Sequence, residues 1–484
     1  MKILYCASEV SPIIKVGGLG DVAGSLPKAL ADLGVEISVI VPKYEEVKKL
    51  DIKIWKLGEI NIDFANKKEK VIVWETKLPG SNVSVYLIEN DTHLSKDGHQ
   101  AFRGTEEEIE RFAFFSKSIA TILNSPFAIQ NFSPDLLHLN DWHTSLIPLL
   151  LECQKKNIPS LLTIHNLSYQ GLGGVEILKK LGISADTCQV LKWDAVNKDI
   201  DILMEGIIHA DYINAVSPTY AKEIMTREFG EGIEDILKGK EGRATGILNG
   251  IDMDTWNPEK DKNIKFQYSS SNFEPGKSIN KKELQNELGL EVNENIPVIA
   301  YIGRIEPKQK GLDIIYEAIE ELFKNEMKAV ELQFVLLGTG DKDWEEKFSA
   351  LSSQLPANIK FINRFDEKLA HQIYAGADIM LVPSKFEPCG LPQMIAMRYG
   401  ALPLVRKVGG LADTVRDNFN GFVFKDYSGQ VLMEKIAEAL KLWGNKEKRA
   451  EMIERAMKTD FSWDKSAKEY LELYKKILTS KNSE

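Results

Sequence analysis

Short apolar runs alternate with amphipathic stretches along nearly the whole chain, and nothing else in the sequence restricts the fold as tightly. The first series is KILYC, EISVIVP, DLLHL, PSLLTI and YINAVS, with a helical stretch from about Asp21 to Leu33 after the first run. The second is PVIAYIGR, ELQFVLLG, NIKFIN, ADIMLVP and ALPLV, each followed by a helical segment. Apolar strands separated by crossover helices are the signature of parallel sheets. From about Pro258 to Lys277 the chain is polar and carries prolines, which reads as a linker. The fold class is therefore α/β, with two doubly wound, Rossmann-like units, and such units are expected to hold a ligand in the cleft between them, at the carboxyl ends of the strands. In WDKSAKEYLELYKKIL, Trp463, Ala467, Tyr470, Leu471, Tyr474, Ile477 and Leu478 share one helical face. That helix either caps the second unit or returns to the first. The tail TSKNSE reads as frayed.

A formal charge of −10 over 484 residues argues against general affinity for nucleic acid or anionic membranes, so an anionic ligand must be held by a local cluster. The four cysteines, Cys6, Cys153, Cys188 and Cys389, show no CxxC or metal-ligand spacing and suit a reducing compartment. The start, MKILYCASEVSP, is too short an apolar run for a signal peptide or a membrane span and reads as the first strand. A cytoplasmic location is expected.

KVGGLGDV, residues 15–22, places Gly17, Gly18 and Gly20 ahead of the first helix. It is not a dinucleotide fingerprint, since Gly24 falls one residue late for GxGxxG and ten residues separate Cys6 from Gly17. Lys15 before the glycines and Asp21 after them point to a ligand loop at a helix start. In HLNDWHTSL, Asn140, Asp141, Trp142 and His143 follow a strand, and in LLTIHN, His165 and Asn166 do the same. Asp141 taken alone reads equally as a helix N-cap. Together these groups suggest a polyol pocket with an aromatic platform. YIGRIEPKQKGLD puts Arg304 at a strand end with Lys308 and Lys310 beyond it, a set able to clamp a diphosphate. In VPSKFEPCGL, Glu387 precedes Cys389, Gly390 and Leu391 at another helix start. The strings Asp199-Ile200-Asp201 and Asp252-Met253-Asp254 are too weak among 71 acidic residues to assign a metal. HExxH, GxSxG and a GxxxxGKS/T phosphate loop are missing from the sequence, against protease, hydrolase and P-loop readings.

The strings KVGGLGDV, NDWHT, TIHN, AVSPTYAKEI, GILNGIDMDTWNP, GR…QKGLD, PSKFEPCGL and GGLADTV, in this order, resemble the bacterial glycogen synthase and plant starch synthase family from about residue 1 to 478. The resemblance implies a GT-B fold. It implies an N-terminal acceptor-side domain over 1–250, completed by a helix at 461–478, and a nucleotide-sugar-binding domain over 251–460. It also implies retaining transfer of glucose from ADP-glucose to the non-reducing 4-hydroxyl of an α-1,4-glucan, with neither cofactor nor metal. Lys15, Gly17 and Gly18 would meet the distal phosphate, with Asp21 beside them, and Arg304 and Lys310 would hold the diphosphate. Glu387 would bind the glucosyl ring, with the amides of Cys389, Gly390 and Leu391 on hydroxyls and phosphate. His165 would lie beneath the anomeric carbon, Asp141, Asn166 and Asn249 would line the sugar site, and Phe365 falls where an aromatic stacks on adenine. Three departures stand out. The Arg304–Lys310 spacing is one residue longer than usual, bringing Lys308 into competition, Glu205 replaces a lysine of many relatives, and Ile395 stands where other retaining GT-B enzymes have a second glutamate. A dehydrogenase would need a tight GxGxxG, and a non-catalytic glucan-binding protein would have lost Lys15, Arg304 or Glu387. A related transferase using UDP-glucose is the remaining alternative.

Overall fold

Burial on both faces turns the apolar runs into strands. In a computed structural model that describes residues 1–95, 105–125, 133–187, 189–324 and 332–481, β1 (Lys2–Cys6), β2 (Glu36–Pro42), β3 (Trp55–Phe64), β4 (Lys67–Lys77), β5 (Ser84–Glu89), β6 (Leu136–Asn140), β7 (Ser160–Ile164), β8 (Leu172–Gly174), β9 (Asp199–Asp201), β10 (Tyr212–Ala215) and β11 (Ala244–Gly246) belong to the first of two units. This unit comprises Met1–Val216, Ala221–Gly250 and the chain from Trp463. Its main sheet runs β11-β10-β7-β6-β1-β2-β5-β4-β3, while β8 and β9 pair separately. β1 pairs in parallel with β2 on one side and with β6 on the other, Ile3 standing opposite both Ile37 and Leu136. The order in which strands are added reverses there, so the residues just after β1 and β6 flank the sheet's switch point, the usual ligand position in such sheets. The antiparallel strands β3 and β4 were not foreseen. They are joined at Ala65 and Asn66, whose φ values of 51° and 61° lie in the left-handed region, and they extend the sheet at its edge.

The second unit, Ile251–Ser462 with Ser217–Tyr220, holds β12 (Val298–Ile302), β13 (Gln333–Leu337), β14 (Ile359–Ile362), β15 (Ile379–Val382), β16 (Leu402–Arg406) and β17 (Phe422–Phe424) in the order β14-β13-β12-β15-β16-β17. All its pairs are parallel, and its switch point lies between β12 and β15.

The supposed linker is part of this unit. Tyr268 is buried and donates to the Tyr399 carbonyl (2.7 Å), Asp261 accepts from the Tyr399 hydroxyl (2.6 Å) and pairs with His371 (2.7 Å), and the Trp256 ring stacks on His371. A helix, Phe273–Glu287, starts inside the stretch. Its Lys277 donates to the carbonyls of Ala375, Ala377 and Tyr399, and burial pushes its ammonium down to about 7. Polarity here satisfies buried main-chain oxygens rather than meeting water, which composition does not distinguish.

The terminal helix spans Trp463–Lys481, continuing through Thr479 and Ser480, which the sequence reading left frayed; residues 482–484 lie outside the described residues, as does Cys188. Its Trp463, Ala467, Tyr470, Leu473, Tyr474 and Ile477 join the first unit's core beside the helix Gly18–Asp32, whereas Leu471 and Leu478 are only partly buried. The Tyr470 hydroxyl accepts from Asn214 Nδ2 (2.9 Å), and the Tyr474 hydroxyl lies 2.6 Å from Nδ1 of buried His138, whose other nitrogen meets Thr163 Oγ1 at 2.8 Å. Burial holds His138 well below the usual histidine range, so its ring is neutral. Tyr474→Phe would leave a buried imidazole nitrogen without its partner. The expected loss is about 1–3 kcal/mol, read as a lower denaturation midpoint with unchanged slope; an unchanged midpoint would mean the hydrogen bond contributes nothing.

Candidate functional site

In the first unit a buried carboxylate shapes the glycine loop. Glu9, three residues past Cys6 at the end of β1, is 3% exposed and its Oε2 accepts from the amides of Val16 and Gly17. Burial raises its pKa, and those amide bonds oppose the rise. The following helix begins at Gly18, three residues earlier than the sequence suggested, with Gly17 at its N-cap. The glycines answer different needs. A Cβ on Gly20 would sit 2.9 Å from Glu9 Oε2 and one on Gly24 only 2.4 Å from the Ser11 carbonyl, whereas one on Gly18 would meet no atom within 4 Å. Gly18 is bare toward open space, the arrangement a ligand contact requires. Lys15 pairs with Asp21 at 2.7 Å, both roughly half exposed. Such a pair is worth about 0–1 kcal/mol, so Lys15 can exchange partners for a phosphate at little cost.

At the ends of β6 and β7, Asp141 does not cap its helix. With φ of 53° it turns back, and its Oδ1 accepts from the amides of His165 (2.7 Å) and Asn166 (3.4 Å). Burial pushes its carboxyl up to about 7. Asn140 Nδ2 donates to the Cys6 carbonyl (2.9 Å), which fixes Oδ1 as the acceptor facing His165 Nε2 (2.9 Å) and the Tyr5 hydroxyl (2.9 Å). His165, its pKa pushed down to about 3 by burial, is therefore the neutral Nε2–H tautomer with a lone pair on Nδ1. Asn249 is buried, and its Oδ1 has no hydrogen-bond partner among the described residues. Its position is set by neighbours: the Leu248 carbonyl accepts from Ser466 Oγ (2.6 Å), and a Cβ on Gly250 would strike the Trp463 amide at 2.7 Å.

Trp142 is not the exposed aromatic platform expected. It is 4% exposed, stacked on His143 and covered by Gly171, where a Cβ would lie 2.4 Å from the indole. Glu205 is buried on the helix Ile202–His209 with Oε2 3.4 Å from His209 Nε2, while His209 Nδ1 lies 2.7 Å from Glu152. The two acidic strings have local roles: Asp201 caps that same helix through the Met204 amide, and Asp252 closes a turn on the amides of Asp254 and Thr255.

In the second unit three strand-end loops interlock at the switch point. Gly311, with φ of 71°, lies so close to the Pro383 carbonyl that a Cβ would meet it at 2.4 Å, and the Lys385 amide donates to the Gln309 carbonyl (2.7 Å). The Gly410 amide donates to the Glu387 carbonyl (3.1 Å), and a Cβ on Gly410 would lie 2.2 Å from the Cys389 oxygen. This framework sets Lys310 Nζ 2.7 Å from Glu387 Oε2, and Ser384 Oγ donates to the same oxygen (2.8 Å). Arg304 is exposed on the loop, its carbonyl held by the buried Tyr301 hydroxyl (2.8 Å). Lys310, not the exposed Lys308, is the lysine on Glu387. Gln393 Nε2 donates to the carbonyls of Cys389 (3.0 Å) and Gly390 (2.7 Å), which fixes the turn into the helix Pro392–Arg398 with Leu391 at its N-cap. Ile395 is buried within that helix. Phe365 is 87% exposed beyond β14.

Sequence reasoning missed Glu9, Asn140 as the group setting the His165 tautomer, and Ser384. Each is a polar residue at or just past the end of a strand, beside a motif, and that position is the available signal. Asp141 yields a pH test. An unfolded aspartate loses its proton near pH ~3.9, the folded one at about 7, so its contribution to stability is full below the first value and is lost as pH rises through the second. Asp141→Asn is expected to melt higher relative to the parent at pH 8 than at pH 5, by on the order of 1–3 kcal/mol across the range. A pH-independent difference would show that Asp141 titrates normally.

Residues 2–239 match the family model described as starch synthase catalytic domain, and residues 281–459 match glycosyl transferases group 1. A glycogen synthase of Kosmotoga olearia is 41% identical over 99% of this chain and 98% of its own length, and one of Clostridium botulinum is 40% identical over 99% of each. Among solved structures, the catalytic domain of starch synthase IV from Arabidopsis thaliana, bound to ADP and acarbose, is 31% identical with a TM-score of 0.87, covering 99% of both chains. Two parallel-sheet units and a likeness running the length of the chain agree: the protein belongs to the glycogen/starch synthase family of GT-B glycosyltransferases.

Proposed function

We propose that the protein elongates an α-1,4-glucan by moving glucose from ADP-glucose to its non-reducing 4-hydroxyl with retention at the anomeric carbon. The observation that carries this is the Lys310–Glu387 pair, 2.7 Å apart at the β12/β15 switch point with Arg304 on the adjoining loop. Cations and a carboxylate held together by backbone suit a ligand that is half diphosphate and half sugar. In this reading the unit Ile251–Ser462 carries the nucleotide-sugar site and the first unit the acceptor side. Arg304 and Lys310 take the diphosphate, Glu387 accepts from glucosyl hydroxyls, the amides of Cys389, Gly390 and Leu391 serve hydroxyls and phosphate, and Phe365 stacks on adenine. Lys15, released from Asp21, and the amide of Gly18 serve the distal phosphate; the Gly17 amide, expected to join them, is instead taken by buried Glu9. Asp141, His165, Asn166 and Asn249 line the sugar, with the Asn249 Oδ1 as an acceptor awaiting a hydroxyl.

In the transfer, the bond between the anomeric carbon and the phosphate oxygen breaks with its electron pair going to ADP. The glucan O4 forms the new bond on the same face, and its proton passes to the departing phosphate oxygen. Positive charge grows on the sugar and negative charge on the diphosphate, so fixed cations and amides stabilise the transition state more than the ground state. Arg304 and Lys310 supply the charge neutralisation that a divalent metal supplies elsewhere. Thiols outside any disulfide at Cys6, Cys153 and Cys389 suit a cytoplasmic setting, and among the described residues no helix is long and apolar enough to cross a membrane.

Initial rates of glucosyl transfer to glycogen, with ADP-glucose against UDP-glucose and with EDTA in parallel, test the proposal. The expected result is a strong preference for ADP-glucose that EDTA does not alter; transfer that collapses in EDTA would contradict it. Glu387→Ala and Arg304→Ala are each expected to lower kcat by roughly 100- to 1,000-fold. Near-parental turnover of Glu387→Ala would remove the assigned role.

A further inference from the structure

Ser384 is 1% exposed and directs its hydroxyl onto Glu387 Oε2 at 2.8 Å. Lys310 Nζ occupies the same oxygen at 2.7 Å, while Oε1 accepts no hydrogen bond among the described residues. One carboxylate oxygen therefore carries two donors, and the other is left for a ligand hydroxyl.

The two donors differ in how firmly they are held. Lys310 reaches Glu387 through a four-carbon stem that is partly exposed, and its ammonium is the charge that a diphosphate would attract. The Ser384 hydroxyl sits one carbon from the main chain, in a segment pinned on both sides. The Pro383 carbonyl lies against Gly311, and the Lys385 amide is bonded to the Gln309 carbonyl. Glu387 is tied through its own carbonyl to the Gly410 amide. We infer that Ser384 is a positioning residue: it keeps the Glu387 carboxylate oriented toward the sugar when the donor's diphosphate draws Lys310 away. The inference rests on the role proposed for Glu387.

The role separates from simple packing because it acts only through Glu387. Full-length Ser384→Ala, Glu387→Ala and the double variant are compared with the parent for kcat and KM with ADP-glucose and glycogen, with ADP affinity measured by calorimetry. Ser384→Ala is expected to lower kcat by roughly 10- to 100-fold while the KM for ADP-glucose and the ADP affinity change by less than about twofold. In the Glu387→Ala background the same substitution is expected to cost no further rate. A Ser384→Ala kcat within about twofold of the parent, or an equal further loss on top of Glu387→Ala, would overturn the inference. If Glu387→Ala itself turns over like the parent, the site reading falls first, and the inference with it.

Discussion

A carboxylate placed out of water must be met by donors or it destabilises whatever holds it, and in each unit one such group organises a strand-end loop at the switch point. In the first, Glu9 gathers the amides of Val16 and Gly17 and so bends the chain into the helix at Gly18. In the second, Glu387 gathers Lys310 and Ser384. Both sit just past a strand that flanks its sheet's switch point, where main-chain groups at strand ends are free to be used.

The loops around these carboxylates are fixed by close backbone approaches that only glycine permits. Gly311 against Pro383, Gly410 against Cys389 and Gly24 against Ser11 each leave less than 2.5 Å for a Cβ. Gly18 is the exception, open on the side where the others are crowded. Rigidity and access are thereby divided among neighbouring glycines, and the backbone that carries Arg304 and Lys310 is fixed while their side chains stay free to change partners. In the proposed reading, a fixed backbone of this kind keeps the reorganisation needed as the glycosyl bond breaks small.

Much of the fold was legible because parallel strands buried on both faces announce themselves as apolar runs; β1, β2, β6, β7, β10 and the series β12–β16 all lie where such runs fall. The failures share a cause. The segment from Pro258 to Lys277 looked like solvent-exposed linker because its polarity was visible and its partners were not: Asp261, Tyr268 and Lys277 are complemented by Tyr399, His371 and main-chain carbonyls more than a hundred residues away or nearly so. Trp142 looked like a platform because sequence marks an aromatic but not the glycine, Gly171, that covers it. Motif residues could be named from spacing, whereas Glu9, Asn140 and Ser384 emerge only once the hydrogen bonds are drawn. Ser384 stands inside the PSKFEPCGL string beside Glu387, and spacing alone gives it no role.

In the proposed reading the Arg304–Lys310 and Pro383–Leu391 loops are built for the donor in advance, and a crystal structure of the protein with ADP is the first measurement to make. The expected result is Cα shifts below about 1 Å over residues 303–311, 383–391 and 407–411, with Lys310 Nζ moved onto the diphosphate and the Glu387–Ser384 hydrogen bond kept. Loops that rearrange by several ångströms, or ADP bound with Arg304 and Lys310 turned away from its phosphates, would contradict it.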